Sequence, residues 1–414
     1  MKKYYLMNVI CSLLFCFSSL GWAGDDGRVD IHGFISQGYL KTNHNNYMAA
    51  TKDGTFQYNE MGINFSSQPA SRLRIGVQFF ARDLGEIGND SITIDWAFAD
   101  YRWKKWLGIQ AGKIKSPKGL YYETRDFDIL RTFVLLPQSV YTDNLRDDLI
   151  AFKGICAYGK INLGLAGDGY YNAICSQAQI TEDSGAIKLL EDEGGFFITR
   201  NDPGFTSQLS LTFEPPIDGL KLGYTYIIAS ISFYGETANK SPWKDMKMSD
   251  IPITYDVTKN EYHFASCEYS LGDLILATEL YLSSIDYKLS FDHPFHLFMD
   301  QKDNLTNMGY YGSACYRLND LLEVGGYYSV FYRDNDDKDG SERKKMGAPR
   351  FQAWQKDTCL SIRANINSNW CAKIEGHYID GTAQIQYQDN TNVQGDSDYK
   401  RYWSLFAAKV SYTF

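Results

Sequence analysis

Between Ser116 and Asp147 the chain carries Glu123, Arg125, Asp126, Asp128 and Arg131 within nine residues, set among Phe127, Ile129, Leu130, Phe133, Val134, Leu135 and Leu136. Charges of both signs that close together nearly cancel, so they suit the shaping of an electric field across a water-filled space. A segment this apolar cannot wave in water. It must pack on an inner wall, on itself or on a neighbouring subunit. Signals for other chemistry are weak or absent. There is no Gly-x-Ser-x-Gly, His-Glu-x-x-His, phosphate loop or Cys-x-x-Cys. His293 and His296 have no acidic ligand at metal spacing. Asn335, Asp337, Asp339 and Gly340 imitate half of a calcium loop, but Met346 stands where the bidentate glutamate belongs. No catalytic residue, cofactor or metal is therefore expected.

The elements that must position these charges are strands. At the C-terminus, Tyr402, Phe406, Ala408, Val410, Tyr412 and Phe414 share one parity, while the other ends Lys409, Ser411, Thr413. That is a period-two strand with one greasy and one wet face. Runs of the same kind recur from Arg28 to Lys41, through Phe56–Ser66, Arg72–Arg82, Ser91–Trp103 and Trp106–Lys115, then Asp148–Tyr158, Ile161–Ala173, Phe205–Phe213, Leu220–Phe233 and Asn260–Leu271. Asp273–Tyr287, Asn307–Leu318, Leu321–Tyr332, Phe351–Ile366, Trp370–Tyr387 and Arg401–Phe414 complete a count of sixteen. Alternate connections are short, such as Lys104-Lys105, Gly159-Lys160 and Asn319-Asp320. The others are mostly long and polar. Short turns at one end and long loops at the other describe an up-and-down barrel spanning a membrane. Trp103, Trp106, Tyr158, Phe213, Tyr269, Tyr316, Trp370 and Tyr412 fall near the turn ends, where an interfacial girdle would sit. A barrel of about sixteen strands leaves an aqueous lumen.

Strand parity then assigns a lumen wall: Glu60, Asp95, Asp168, Glu268, Glu279 and Glu375 as acids, with Arg72, Arg74, Arg82, Lys153, Arg363 and Lys409 as bases. Arginines on one parity of a membrane strand must face water. The acids near mid-height suggest a weak cation preference, opposed by the arginine strand.

Composition is consistent with this reading. No stretch after residue 23 approaches the roughly 18 to 20 apolar residues of a membrane helix. Lys2 and Lys3 precede an apolar run from Tyr4 to Leu20 and the small residues of Gly21-Trp22-Ala23, a secretory signal expected to be cleaved after Ala23. Residues 24–414 form the barrel domain. Taking Lys2 and Lys3 from 41 basic residues leaves 39 against 50 acidic, a net charge of −11 that argues against nucleic acid as a partner. Six cysteines survive cleavage. Cys359 and Cys371 share a hairpin, but a turn at Asn367 to Asn369 sets Cys371 opposite Asn365, roughly 20 Å from Cys359 along the strand, so free thiols are expected.

The terminal strand ending on Phe414 resembles the closing strand of Gram-negative outer-membrane barrels. The stretches Gly119-Leu120-Tyr121 to Arg125-Asp126 and Leu135-Leu136-Pro137-Gln138-Ser139 resemble segments of porin-like proteins. The resemblance implies an outer-membrane location among lipids and lipopolysaccharide, passage of small hydrophilic solutes, a homotrimer, and a third long loop folded inward as a constriction bearing Glu123, Arg125, Asp126, Asp128 and Arg131. A passive diffusion channel follows. The alternatives are a non-conducting barrel serving as adhesin or structural protein, and a barrel enzyme.

Overall fold

A computed structural model describes residues 28–178, 180–181, 184–239, 243, 248–292, 301–386, 390 and 399–414. Residues 1–27, which include the expected signal, and His293 and His296 lie outside the described residues. The strands are β1 (Val29–Thr42), β2 (Tyr58–Ala70), β3 (Leu73–Leu84), β4 (Thr93–Lys104), β5 (Leu107–Lys115), β6 (Ala151–Asn162), β7 (Asp168–Gln177), β8 (Phe196–Glu214), β9 (Leu220–Thr237), β10 (Pro252–Leu271), β11 (Leu274–Phe291), β12 (Gln301–Arg317), β13 (Leu322–Tyr332), β14 (Trp354–Asn365), β15 (Trp370–Gly381) and β16 (Tyr402–Thr413). Each pairs antiparallel with the next, and β16 returns to β1 with Gly38 opposite Lys409, closing a barrel of sixteen strands. Closure leaves no unpaired sheet edge, as a sheet in lipid requires.

Alternation decides which side each residue faces. Ile35, Ile75, Phe79, Ile155, Leu209, Leu360, Ile374 and Phe406 are exposed on the outside, whereas Ser36, Gln78, Phe80, Cys156, Ser361, Glu375 and Ala407 between them are buried. An apolar belt of that extent is untenable in water and natural against acyl chains. At the short-turn rim, Trp103 meets Trp106 edge-on at 5.9 Å, and Trp370 lies 4.8 Å from Tyr412. Tyr158 does not join this girdle. It faces inward and donates to Asp100 Oδ1 at 2.6 Å.

The sequence reading misplaces several boundaries: β7 spans Asp168–Gln177 rather than Ile161–Ala173, β10 begins at Pro252 rather than Asn260, and β12 begins at Gln301 rather than Asn307. β6 does not turn at Gly159-Lys160 but continues to Asn162, and the chain reverses through a 3-10 turn at Gly164–Ala166. The cause is local: Lys160 reaches Asp168 at 2.7 Å across the ladder, and Asn162 Oδ1 accepts the Gly164 N–H. β8 begins at Phe196 rather than Phe205, riding over two register shifts around Ile198/Arg200 and Pro203/Thr206. β15 stops at Gly381, whose φ of 100° bends the strand where a Cβ would sit 2.0 Å from the Trp354 carbonyl oxygen.

Candidate functional site: a loop across the barrel

The connection 116–150 between β5 and β6 is bonded to inward-facing residues around most of the barrel. Leaving β5, Ser116 Oγ donates to Gln208 Oε1 of β8 at 2.6 Å, and Gln208 Nε2 donates back to the Pro117 carbonyl at 2.8 Å. At β11, Glu279 accepts the Leu120 N–H at 2.8 Å, the Tyr311 hydroxyl at 2.8 Å and the Tyr141 hydroxyl. Ser139 bonds the Tyr310 carbonyl of β12 at 3.1 Å and Ser329 Oγ of β13 at 2.8 Å. The N–H groups of Val134 and Leu135 donate to the two oxygens of Glu375 on β15 at 2.7 and 2.8 Å. From β14, Arg363 gives hydrogen bonds to the carbonyls of Ile129 and Arg131.

Apolar residues bury the same segment. Val134 and Leu135 join Leu40, Tyr47, Tyr58 and Trp403, while Leu136, Val140 and Tyr141 pack with Ile227, Phe264 and Tyr311. Full burial of an aliphatic side chain contributes about 1.5–3 kcal/mol. The expectation that these residues must pack on something is met by the inner wall.

Most of the loop charges, though not Glu123 or Lys118, are spent on ion pairs. Asp126 and Asp95 of β4 hold Arg146 between them at 2.7–3.1 Å, with its guanidinium 3.7 Å over the Phe80 ring. Arg125 pairs with Asp143 at 2.5 Å, and Arg82 of β3 pairs with Asp147 at 2.8 Å. Asp128 is the most heavily bonded: Lys409 at 3.0 Å, Lys373 at 3.3 Å, Arg131 at 2.9 Å and Ser411 Oγ at 2.7 Å. Burial alone would raise its carboxyl, but the three cations outweigh that and hold it well below the usual carboxylate range. Of the whole segment 116–150, only Glu123, Thr124 and Leu130 are exposed. Lys115 reaches the Glu123 carbonyl at 2.9 Å.

Most wall residues assigned from parity do face inward. Glu60 is bonded to Lys409, and Glu268 accepts from the Tyr121 hydroxyl at 3.4 Å. Arg74 stacks over Phe98 at 5.4 Å. Three positions need correction. Lys153 is exposed on the outer face, level with Lys113, because β6 turns Phe152 and Cys156 inward. Arg72 sits in the turn before β3, and Asp168 stands at the rim paired with Lys160. The acidic turn near Asp337 is a helix cap, with Asp337 accepting the Glu342 and Arg343 N–H groups. The six cysteines are free, as expected. Sequence reasoning missed Arg146, Lys373, Asp357, Cys359 and His377. Of these, Lys373 and His377 share the parity of Glu375, which was the available signal.

No protein-family model matches the chain, and no curated protein matches its sequence. Solved structures do. OmpT of Vibrio cholerae superposes with a TM-score of 0.56 at 11% identity, covering 95% of this chain and 99% of that one. The outer membrane channel DcaP of Acinetobacter baumannii gives 0.53 at 12% identity, and Salmonella typhi OmpF in complex with daunomycin gives 0.54 at 13%, each covering 95% of this chain and 99% of the other. At such identities the likeness establishes the fold alone, a closed barrel of the kind these outer-membrane proteins share.

Proposed function

We propose that this outer-membrane barrel is a passive diffusion channel for small hydrophilic solutes, narrowed by the inward loop 116–150 and without catalytic activity. The observation that carries the reading is the loop's placement: it is bonded to the inner wall on β8, β11 and β15 and leaves Glu123, Thr124 and Leu130 as its exposed edge. Solutes pass along that edge. With Arg125, Asp126, Asp128 and Arg131 paired, and Lys153 outside, Glu123 and Glu268, set against Lys115 and the Lys221 opposite Glu268, leave at most a weak cation preference.

The same bonding favours a second reading, a barrel whose loop plugs it and whose role is structural. Planar-bilayer recording of the refolded chain separates the two. Stepwise conductance should appear, and shortening the loop between Glu123 and Arg131 should raise it. A folded protein that conducts neither before nor after shortening would overturn the channel.

A further inference from the structure

We infer that Cys359, Glu375 and His377 form a binding site for one first-row divalent transition-metal ion, with Zn²⁺ as the type case, on the inner wall beneath the loop. Cys359 of β14 stands directly opposite His377 of β15, and Glu375 lies two residues along the same inward face. One ligand atom from each falls within 4.8 Å of the others, and all three residues are buried. The set is one thiol, one imidazole and one carboxylate. That mixture selects Zn²⁺ or its neighbours over Mg²⁺ and Ca²⁺, which prefer oxygen alone.

The surroundings prepare the ligands. His377 Nδ1 lies 3.0 Å from both oxygens of Asp357, which itself accepts the Tyr327 hydroxyl at 3.2 Å. This is the carboxylate–histidine pairing that fixes an imidazole with its other nitrogen turned to a metal. That nitrogen, Nε2, lies 3.0 Å from Glu375 Oε1. Bonds of about 2.0 Å to a tetrahedral ion place two such ligands about 3.3 Å apart, so this pair opens slightly and the Cys359 sulfur, within 4.8 Å of both, closes onto the ion. The backbone N–H groups of Val134 and Leu135 hold the Glu375 carboxylate in place.

Both nitrogens of His377 face carboxylates, Nδ1 that of Asp357 and Nε2 that of Glu375. Three protein ligands leave a fourth position for water or the second Glu375 oxygen. A Cys-His nucleophile is a poorer account, since Nε2 is engaged by Glu375 and the thiol is buried.

The test is titration of the refolded, chelator-washed barrel in detergent with Co²⁺. One equivalent should bind and give a thiolate-to-cobalt charge-transfer band, which Zn²⁺ displaces. Cys359→Ser should remove the band while Cys371→Ser keeps it, and Asp357→Asn should weaken affinity by about 10–100-fold. Folding of each variant is read separately from heat-dependent gel mobility. If Cys359→Ser does not refold, His377→Gln serves, with loss of the one-equivalent site expected. No stoichiometric binding by the folded wild-type barrel, binding without a thiolate band, or a band that survives the Cys359 or His377 substitution would each overturn the site. None of these outcomes depends on whether the barrel conducts.

Discussion

Asp128→Asn is the substitution that most directly tests whether the loop is held by charge. Asp128 is 3% exposed and neutralises Lys373, Lys409 and Arg131 together. Lys409 keeps Glu60 when Asp128 is lost, but Arg131 loses its carboxylate partner and Lys373 retains the Phe133 carbonyl at 3.0 Å. Removing one partner of a buried ion pair costs about 3–5 kcal/mol because a buried charge is left uncompensated. At 1.4 kcal/mol per tenfold, local opening of the loop should become roughly 10²- to 4 × 10³-fold more frequent. Hydrogen exchange reads this at the Val134 and Leu135 amides, whose acceptor Glu375 lies two residues beyond Lys373. Exchange there should accelerate by that factor while amides of the β1–β16 ladder stay protected. Adding Lys373→Met should restore part of the protection, since one of the two stranded cations, Lys373 and Arg131, is then gone. If exchange at Val134 and Leu135 stays within twofold of the parent, the apolar contacts of 133–136 hold the loop and the charge cluster does not.

Three further expectations follow from particular placements. Lys153→Met should leave the reversal potential in a salt gradient unchanged, because Lys153 faces outward, whereas Glu123→Gln with Glu268→Gln should move it toward anions. An epitope placed in 334–340 should be labelled on intact cells and one at Asn319-Asp320 should not; labelling of the second would invert the barrel. Asp148 accepts the Ala186 N–H at 2.9 Å at the start of the helix Gly185–Glu193, and burial pushes its carboxyl up to about 7. The folded state therefore keeps a proton that the unfolded chain releases near pH 4, so its contribution to stability falls as pH rises from about 4 to about 7. Asp148→Asn should flatten that decline and exceed the parent in stability at pH 8, with the two equal near pH 4, as read by denaturant unfolding.

The barrel was legible because each strand obeys one rule. Parity alone put Lys409, Arg363, Glu375 and Glu279 on the inside, and the short turn at 367–369 set Asn365 opposite Cys371, as observed. The same register also sets Cys359 opposite His377, so the sulfur–imidazole pair could have been read from the hairpin without any structure. What hid it was reading Cys359 only against other cysteines. Lys153 went wrong for a different reason. On β6 the inward residues Phe152 and Cys156 are as apolar as Ile155 and Ala157 outside: loop residue Lys118 sits 5.6 Å over the Phe152 ring, and Cys156 packs with its wall neighbours Ile114 and Ile174. An inward loop erases the contrast between faces in the strands it touches. The inward run Trp403, Leu405, Ala407 beside Tyr47 and Leu135 shows the same loss on β16. A weak alternation in one stretch of an otherwise regular barrel is thus itself evidence of something packed inside. Its partners, such as Arg146 between Asp95 and Asp126, are separated by 51 and 20 residues in sequence, and only the loop folded back onto the wall brings them together.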